Sequence, residues 1–282
     1  MKKIFFLLLF LFTITSQCQI WKNYSLSDST NIYDIAFKDS LFGIAVGDSG
    51  LILQTEDGGL NWNRILDAAV KDESLFEVQY IEEDIYISGN SVTEGGFFLV
   101  KEGESWEKKI FPFHDLYLTD SYFVNKDTVF ICGLSGKFFR SYDGMRNWEE
   151  FVDPNNFFAN RRVFFLDGKT GWLTGGRIDM IGFLKKTTNG GESWENKLLT
   201  IEPMLDIQFL SSDTVFAVGG DPEYGGWIYF SSDAGETWIL QQSPPNVITL
   251  NCVDFTHNRF GWVTGAGVII KSTNYGLNWS VE

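Results

Sequence analysis

SSDAGETW (231–238) recurs along the chain in altered copies: TEDGGLNW (55–62), SYDGMRNW (141–148), TTNGGESW (187–194) and STNYGLNW (272–279). Each copy ends in tryptophan. With Trp106 included, Trp62, Trp106, Trp148, Trp194, Trp238 and Trp279 form one nearly even series. A period of about 43 residues that holds along the chain marks stacked or radial repeats.

Around the first copy, residues 32–66 read as four short strands. IYDIAF alternates, FGIAV ends at Gly47, LILQT follows a turn at Asp48-Ser49-Gly50, and NWNRIL follows the tryptophan motif. Alternation without a helical period, broken by tight turns, predicts a four-stranded antiparallel propeller blade. The glycine ending the second strand recurs as Gly47, Gly89, Gly133, Gly175, Gly219 and Gly265. At a constant distance before it an aromatic closes the first strand: Phe37, Phe123, Phe165, Phe209 and Phe255, with Tyr80 one place out of step. The expected fold is all-β: a six-bladed β-propeller with repeats at about 32–66, 75–110, 116–151, 161–198, 204–241 and 250–282. Trp21 precedes Trp62 by one repeat length, in phase with the series. IWKNYSL is therefore expected to be a detached strand that pairs with the last blade and joins the ring ends.

The chain opens with Lys2 and Lys3, an apolar run from Ile4 to Ile14, and then Thr15, Ser16, Gln17 and Cys18. That order reads as a secretory signal peptide over 1–18, leaving 19–282 as a single domain that is secreted or periplasmic. A lipid anchor on Cys18 is the second reading. No transmembrane segment is expected in the mature chain. The formal charge of −15 argues against nucleic acid as a partner, because phosphates need a basic surface. Cys132 and Cys252 lie in apolar strand patterns and are expected to be reduced, buried and far apart.

Within the motif Ser/Thr-x-Asp/Asn-x-Gly-x-x-Trp, the acid or amide accepts backbone N–H groups of the turn and the glycine supplies positive φ. The tryptophan adds apolar area. The pattern resembles the Asp-box repeats of bacterial neuraminidases, sortilin-type receptors and the photosystem II stability/assembly factor family. Segments such as FGIAVGDSG (42–50) and GWVTGAG (261–267), each followed by the box, are most similar to the last. The resemblance implies a propeller with boxes on the rim, away from any active site. Two repeats depart from it: Lys101 replaces the acid and Met145 the glycine, and both turns are expected to be looser.

The neuraminidase resemblance implies a three-arginine carboxylate clamp. The chain has Arg64, Arg140, Arg146, Arg161, Arg162, Arg177 and Arg259, and four of them lie on the box side. Other glycosidases need two carboxylates across a bond. The candidates are Asp179 in GGRIDMIG, and Asp221 with Glu223 in GGDPEYGG. His114 and His257 are far apart in register, so no metal or cofactor is expected.

Function is expected on the face of the second-to-third-strand loops, three of which are enlarged: 89–96, 175–182 and 219–226. Arg162, Arg177, Asp179, Asp221, Glu223, Tyr224, Phe157 and Phe158 are the candidate binding residues there, with the two arginines suited to a partner's carboxylates. Near the start of the innermost strand, at one constant offset before the marker glycine, stand Asp34, Asp120, Arg162 and Asp206, with Glu77 shifted by one. They are expected to line the channel mouth. The leading function is a non-catalytic module that binds a protein of the cell envelope. The alternative is a glycan-binding or glycan-cleaving protein using the same face.

Overall fold

The computed structural model describes residues 30–65, 68–113, 117–153, 158–256 and 259–282. The signal peptide, Cys18, the strand expected near Trp21, Phe157, His114 and His257 lie outside them. Six sheets of four antiparallel strands follow one another in chain order and form a β-propeller. They run over residues 32–65, 74–110, 118–152, 160–200, 204–241 and 250–281, termed blades 1 to 6. The described residues contain two short 3-10 turns, Ala68–Val70 and Leu134–Gly136, and no α-helix.

The innermost strands are Ile32–Phe37, Ser74–Ile81, Leu118–Phe123, Asn160–Phe165, Met204–Phe209 and Leu250–Thr256. Each packs against the next in the series, so the blades are arrayed around these strands. The second strands are the most buried: all of Gly43–Gly47, Asp84–Ser91 and Val129–Gly133 is buried. Blades bury both faces, which is why Gly43–Gly47 and Val129–Gly133 read as continuous apolar runs.

The marker glycine has a steric cause. In blades 1, 4, 5 and 6 the connector entering the blade lies directly over it. A Cβ there would sit 1.9 Å from the Asn31 carbonyl oxygen, 2.4 Å from Ala159, 2.2 Å from Pro203 and 2.0 Å from Thr249. No side chain fits that approach. The marker aromatics pack backwards onto the preceding blade. Phe165 stacks on Phe130 with ring centroids 3.5 Å apart and Phe209 on Phe164 at 5.0 Å, and Phe255 meets Phe216 in a tilted contact at 4.8 Å. Phe165 is 1% exposed, whereas Phe37 is 46% exposed because no blade precedes it among the described residues.

The motif turns form one repeated network. In blade 5, Ser231 Oγ accepts the Gly235 N–H at 2.9 Å, and Asp233 Oδ1 accepts the Thr237 N–H at 2.9 Å. Thr55/Asp57, Ser141/Asp143, Thr187/Asn189 and Ser272/Asn274 repeat the pairing. Bonds from Asn147 and Thr237 hold Asp143 and Asp233 down to about 2. The two departures are not looser turns. Met145 takes φ 67° and keeps the Ser141 bond. The second repeat closes instead as a tight hairpin, with Glu102 paired to Ser105 across Gly103 at φ 61°. The tryptophans staple neighbours: Trp148 stacks on Phe98 of blade 2, and Trp194 meets Phe138 of blade 3 edge-on.

The cysteines correct one expectation. Cys132 is buried and free, as its strand pattern suggests. Cys252 is free but exposed. It stands before Gly265 at the same offset that Asp34, Asp120, Arg162 and Asp206 hold before their own marker glycines. In blades 3 and 5 the acid there is covered by the next blade, whose N–H it binds. Among the described residues no blade follows the sixth to cover Cys252.

Candidate functional site

Two groups of acidic side chains stand out, and each gathers residues singled out by the sequence. The first lies among the innermost strands. Asp34, Asp120 and Asp206 of blades 1, 3 and 5 each reach forward to the next blade and accept a backbone N–H. Their donors are Val78 at 2.8 Å, Val163 at 2.7 Å and Val253 at 2.8 Å. Blade 2 uses an amide in the same role. Gln79 donates to the Phe123 carbonyl at 2.7 Å and accepts its N–H at 3.0 Å. The acids therefore tie blades together at the axis, where a carboxylate satisfies an N–H that sheet pairing leaves unused.

Arg162 of blade 4 sits among them. Its Nη1 lies 2.6 Å from Glu77 and 3.0 Å from Asp120, and its Nε lies 2.9 Å from Asp206. About a third of the side chain touches water, in a cavity of about 310 Å³ that Gln79, Tyr122 and Gln208 also line. Burial pushes Asp120 up to about 6 against the pull of Arg162, pushes Glu77 well above the usual carboxylate range, and raises Asp34. One guanidinium thus serves three carboxylates at hydrogen-bond distance. It is engaged within the chain, a use the residue type alone did not reveal.

The second group lies where blades 4 and 5 meet on the loop face. The segments read as enlarged loops are hairpin extensions. Gly176 pairs with Gly182 and Arg177 with Ile181 in blade 4, while Gly220 pairs with Gly226 and Asp221 with Gly225 in blade 5. Asn90 pairs with Gly96 in the third, in blade 2. That third extension serves packing: buried Asn90 bonds both backbone groups of Leu118 in blade 3, at 2.8 and 2.9 Å. The other two converge on Glu202, in the connector between blades 4 and 5. Carboxylate oxygens of Asp179, Glu202 and Asp221 lie within 4.8 Å of one another.

Glu202 carries no repeat signature, and sequence reasoning missed it. Its only signal was an acid between Ile201 and Pro203 in the link between two glycine-rich segments. The connector is wedged between the hairpins. A Cβ on Gly182 would sit 1.8 Å from the Glu202 carbonyl oxygen, and Gly220 N–H binds the Pro203 carbonyl at 3.2 Å. Glu202 Oε2 accepts the Asp179 N–H at 3.1 Å, at a residue held at φ 59°. Asp221 is buried and its Oδ1 accepts N–H groups of Glu223 at 2.9 Å and Tyr224 at 2.8 Å. Burial, with Asp221, Asp179 and Glu223 nearby, raises Glu202 above the usual carboxylate range.

Around this group, Ile178, Met180, Ile201 and Tyr224 are each more than half exposed. Arg177 and Glu223 are exposed beside them, and Phe158 is half-buried in the connector into blade 4. Arg177, Asp179, Asp221, Glu223 and Tyr224 are thus brought to one place. Arg162 belongs to the axial group instead.

Residues 14–94 match the family model for the photosynthesis system II assembly factor YCF48. The photosystem II assembly lipoprotein Ycf48 of Synechococcus sp. (strain CC9902) is 25% identical over 260 residues, 91% of this chain. The chain spans 63% of that relative's length. Among solved structures, one titled YCF48 bound to D1 peptide superimposes with a TM-score of 0.70 at 20% identity, covering 93% of this chain and 83% of the other. A GH74 xyloglucanase from Xanthomonas campestris reaches a TM-score of 0.64 at 12% identity, covering 89% of this chain and 45% of the enzyme. At such identities the two structures speak for the fold alone.

Proposed function

We propose that this chain is an exported, non-catalytic assembly factor that holds a segment of a partner protein on the loop face of blades 4 and 5. The observation that carries the reading is the grouping of Ile178, Met180, Ile201 and Tyr224 around one polar centre, with Arg177 at its edge. Exposed apolar residues scattered singly need no explanation, but several gathered at one place mark the sites that partners use. Arg177 makes no ion pair among the described residues and suits a partner's carboxylate. The likeness to Ycf48 assembly lipoproteins supports the same class of function.

In this reading residues 1–17 direct export and are removed, and Cys18, kept as the first residue, is the site of a lipid anchor, in keeping with the lipoprotein name of the relative. A glycosidase reading is less well supported. A retaining pair needs carboxyl groups about 5–5.5 Å apart flanking a bond, and an inverting pair about 6.5–9.5 Å. Asp179, Glu202 and Asp221 have carboxylate oxygens within 4.8 Å of one another, and Glu202 is fully buried, out of reach of a sugar.

The test is cross-linking and capture of the partner from the native envelope, then binding by Arg177→Glu and Tyr224→Ala. Each variant is expected to melt as the parent does and to bind at least about tenfold more weakly, as for interface anchors. Unchanged binding by both, with loss in Leu60→Ala or Tyr275→Ala on the box side, would place the interface on the other face. Loss of Cys18→Ser protein from the membrane fraction is the expected sign of the anchor.

A further inference from the structure

The described residues include five buried carboxylates: Asp84, Asp120, Glu202, Asp206 and Asp221. Three have a cationic side chain beside them. Lys126 lies 2.6 Å from Asp84, and Arg162 serves Asp120 and Asp206. Glu202 and Asp221 have none, and these two sit together with Asp179. Glu202 is fully buried, and its Oε1 has no hydrogen-bond partner. A buried ionised carboxylate without a partner is costly, so it either takes up a proton or holds a cation.

We propose that Asp179, Glu202 and Asp221 form a binding site for a divalent cation of the calcium class, built where blades 4 and 5 meet. The donor set is all oxygen, which selects hard cations and disfavours zinc or copper. Oxygens bound to one Ca²⁺ at about 2.4 Å lie no further apart than about 4.8 Å, whereas Mg²⁺ demands near-ideal octahedral geometry and keeps most of its waters. The three side chains fall within the calcium limit. Two of the three donors are also held in place. The Asp179 N–H fixes one oxygen of Glu202 and leaves the other unpartnered, while the turn at Glu223 and Tyr224 fixes one oxygen of Asp221. Two glycine-lined hairpins press the connector into position from either side. A single protonated acid would need none of this convergence from three separate elements. Water would complete the coordination of an ion that takes six to eight oxygens. Asp179 stands between the exposed Ile178 and Met180, and Asp221 holds the N–H of exposed Tyr224, so the ion would fix the shape of that surface. The inference stands on the carboxylates themselves and does not depend on which partner binds above them.

The experiment is calorimetric titration of chelator-treated full chain with CaCl2, and separately with MgCl2, near neutral pH in about 0.15 M salt, where loose surface attraction is screened. One Ca²⁺ per chain is expected, with a saturable rise in melting temperature. Glu202→Gln and Asp221→Asn are each expected to weaken binding about tenfold or more, since ligand charge sets calcium affinity. Asp167→Asn, in a box-side turn, should bind as the parent does. Absence of saturable binding up to about 10 mM Ca²⁺, beyond the weakest extracellular sites, would overturn the proposal. So would Ca²⁺ affinity unchanged in Glu202→Gln, or Mg²⁺ bound as tightly as Ca²⁺. A Glu202→Gln variant more stable than a calcium-insensitive parent would identify Glu202 as a buried neutral acid instead.

Discussion

The two acidic groups solve one problem in different ways. At the axis, Glu77, Asp120 and Asp206 converge on Arg162, a cation the chain supplies itself. On the loop face, Asp179, Glu202 and Asp221 converge with no arginine or lysine paired to them among the described residues. Asp34, Asp120 and Asp206 also bind backbone N–H groups of the next blade, so they hold the array of blades together. The loop-face acids bind only turns and one neighbouring residue. Carboxylates in a fold core serve stability when their charge is answered from within. Carboxylates whose charge is left open, as in the proposed cation site, can answer it only with a proton or with an ion from outside.

The largest expected effect comes from removing the axial cation. Arg162→Leu leaves three carboxylates uncompensated and should cost about 3–5 kcal/mol in urea unfolding near neutral pH. A loss below about 1 kcal/mol would show that channel water, not Arg162, carries the acids. The pH dependence has a definite sign. Burial raises Asp120 to about 6 in the fold, above its unfolded value, so its proton binding favours the folded state. That contribution is complete below the unfolded carboxylate range near 4 and is lost as pH rises through about 6. Relative to Asp120→Asn, the parent should therefore gain stability as pH falls from 7 towards 4, measured by paired urea titrations. A flat difference would mean that Asp120 is ionised throughout.

The next effect separates the two groups by their response to calcium. At about 100 times its dissociation constant, Ca²⁺ should stabilise the parent by about 2.7 kcal/mol and leave Glu202→Gln almost unmoved. Arg162→Leu, if it folds, should keep the calcium response, because the two groups are separate. The smallest expected change is Asp221→Ala in chelator. It removes acceptors for two turn N–H groups and should cost about 1 kcal/mol, much as Asp233→Ala should in a motif turn. Asp221→Asn keeps an acceptor and should cost less, while still losing calcium binding.

The axial group was legible in part. A constant offset from the marker glycine picks out Asp34, Asp120, Arg162 and Asp206, because every blade copies the same strand. The pattern did not say that Arg162 would be consumed by its neighbours, since pairing across the axis joins residues such as Glu77 and Arg162 that lie 85 apart in sequence. Nor did it place Cys252 at the uncovered sixth position. On the loop face, Asp179, Asp221 and Tyr224 drew attention through their glycine-rich segments. Glu202 did not, because connectors between blades do not repeat.

What is periodic was readable from the chain alone. Strand alternation, turn residues needing positive φ or a side-chain acceptor, and glycines under a connector carbonyl all act within one blade or one step of the array. Their signals therefore recur at fixed spacing, and the six-bladed fold follows from them. Which charges meet was settled by packing between blades. Arg162 with Glu77, and Glu202 with Asp179 and Asp221, come from different blades and connectors that share no register. Electrostatic energy depends on distance and burial, which strand period alone does not encode.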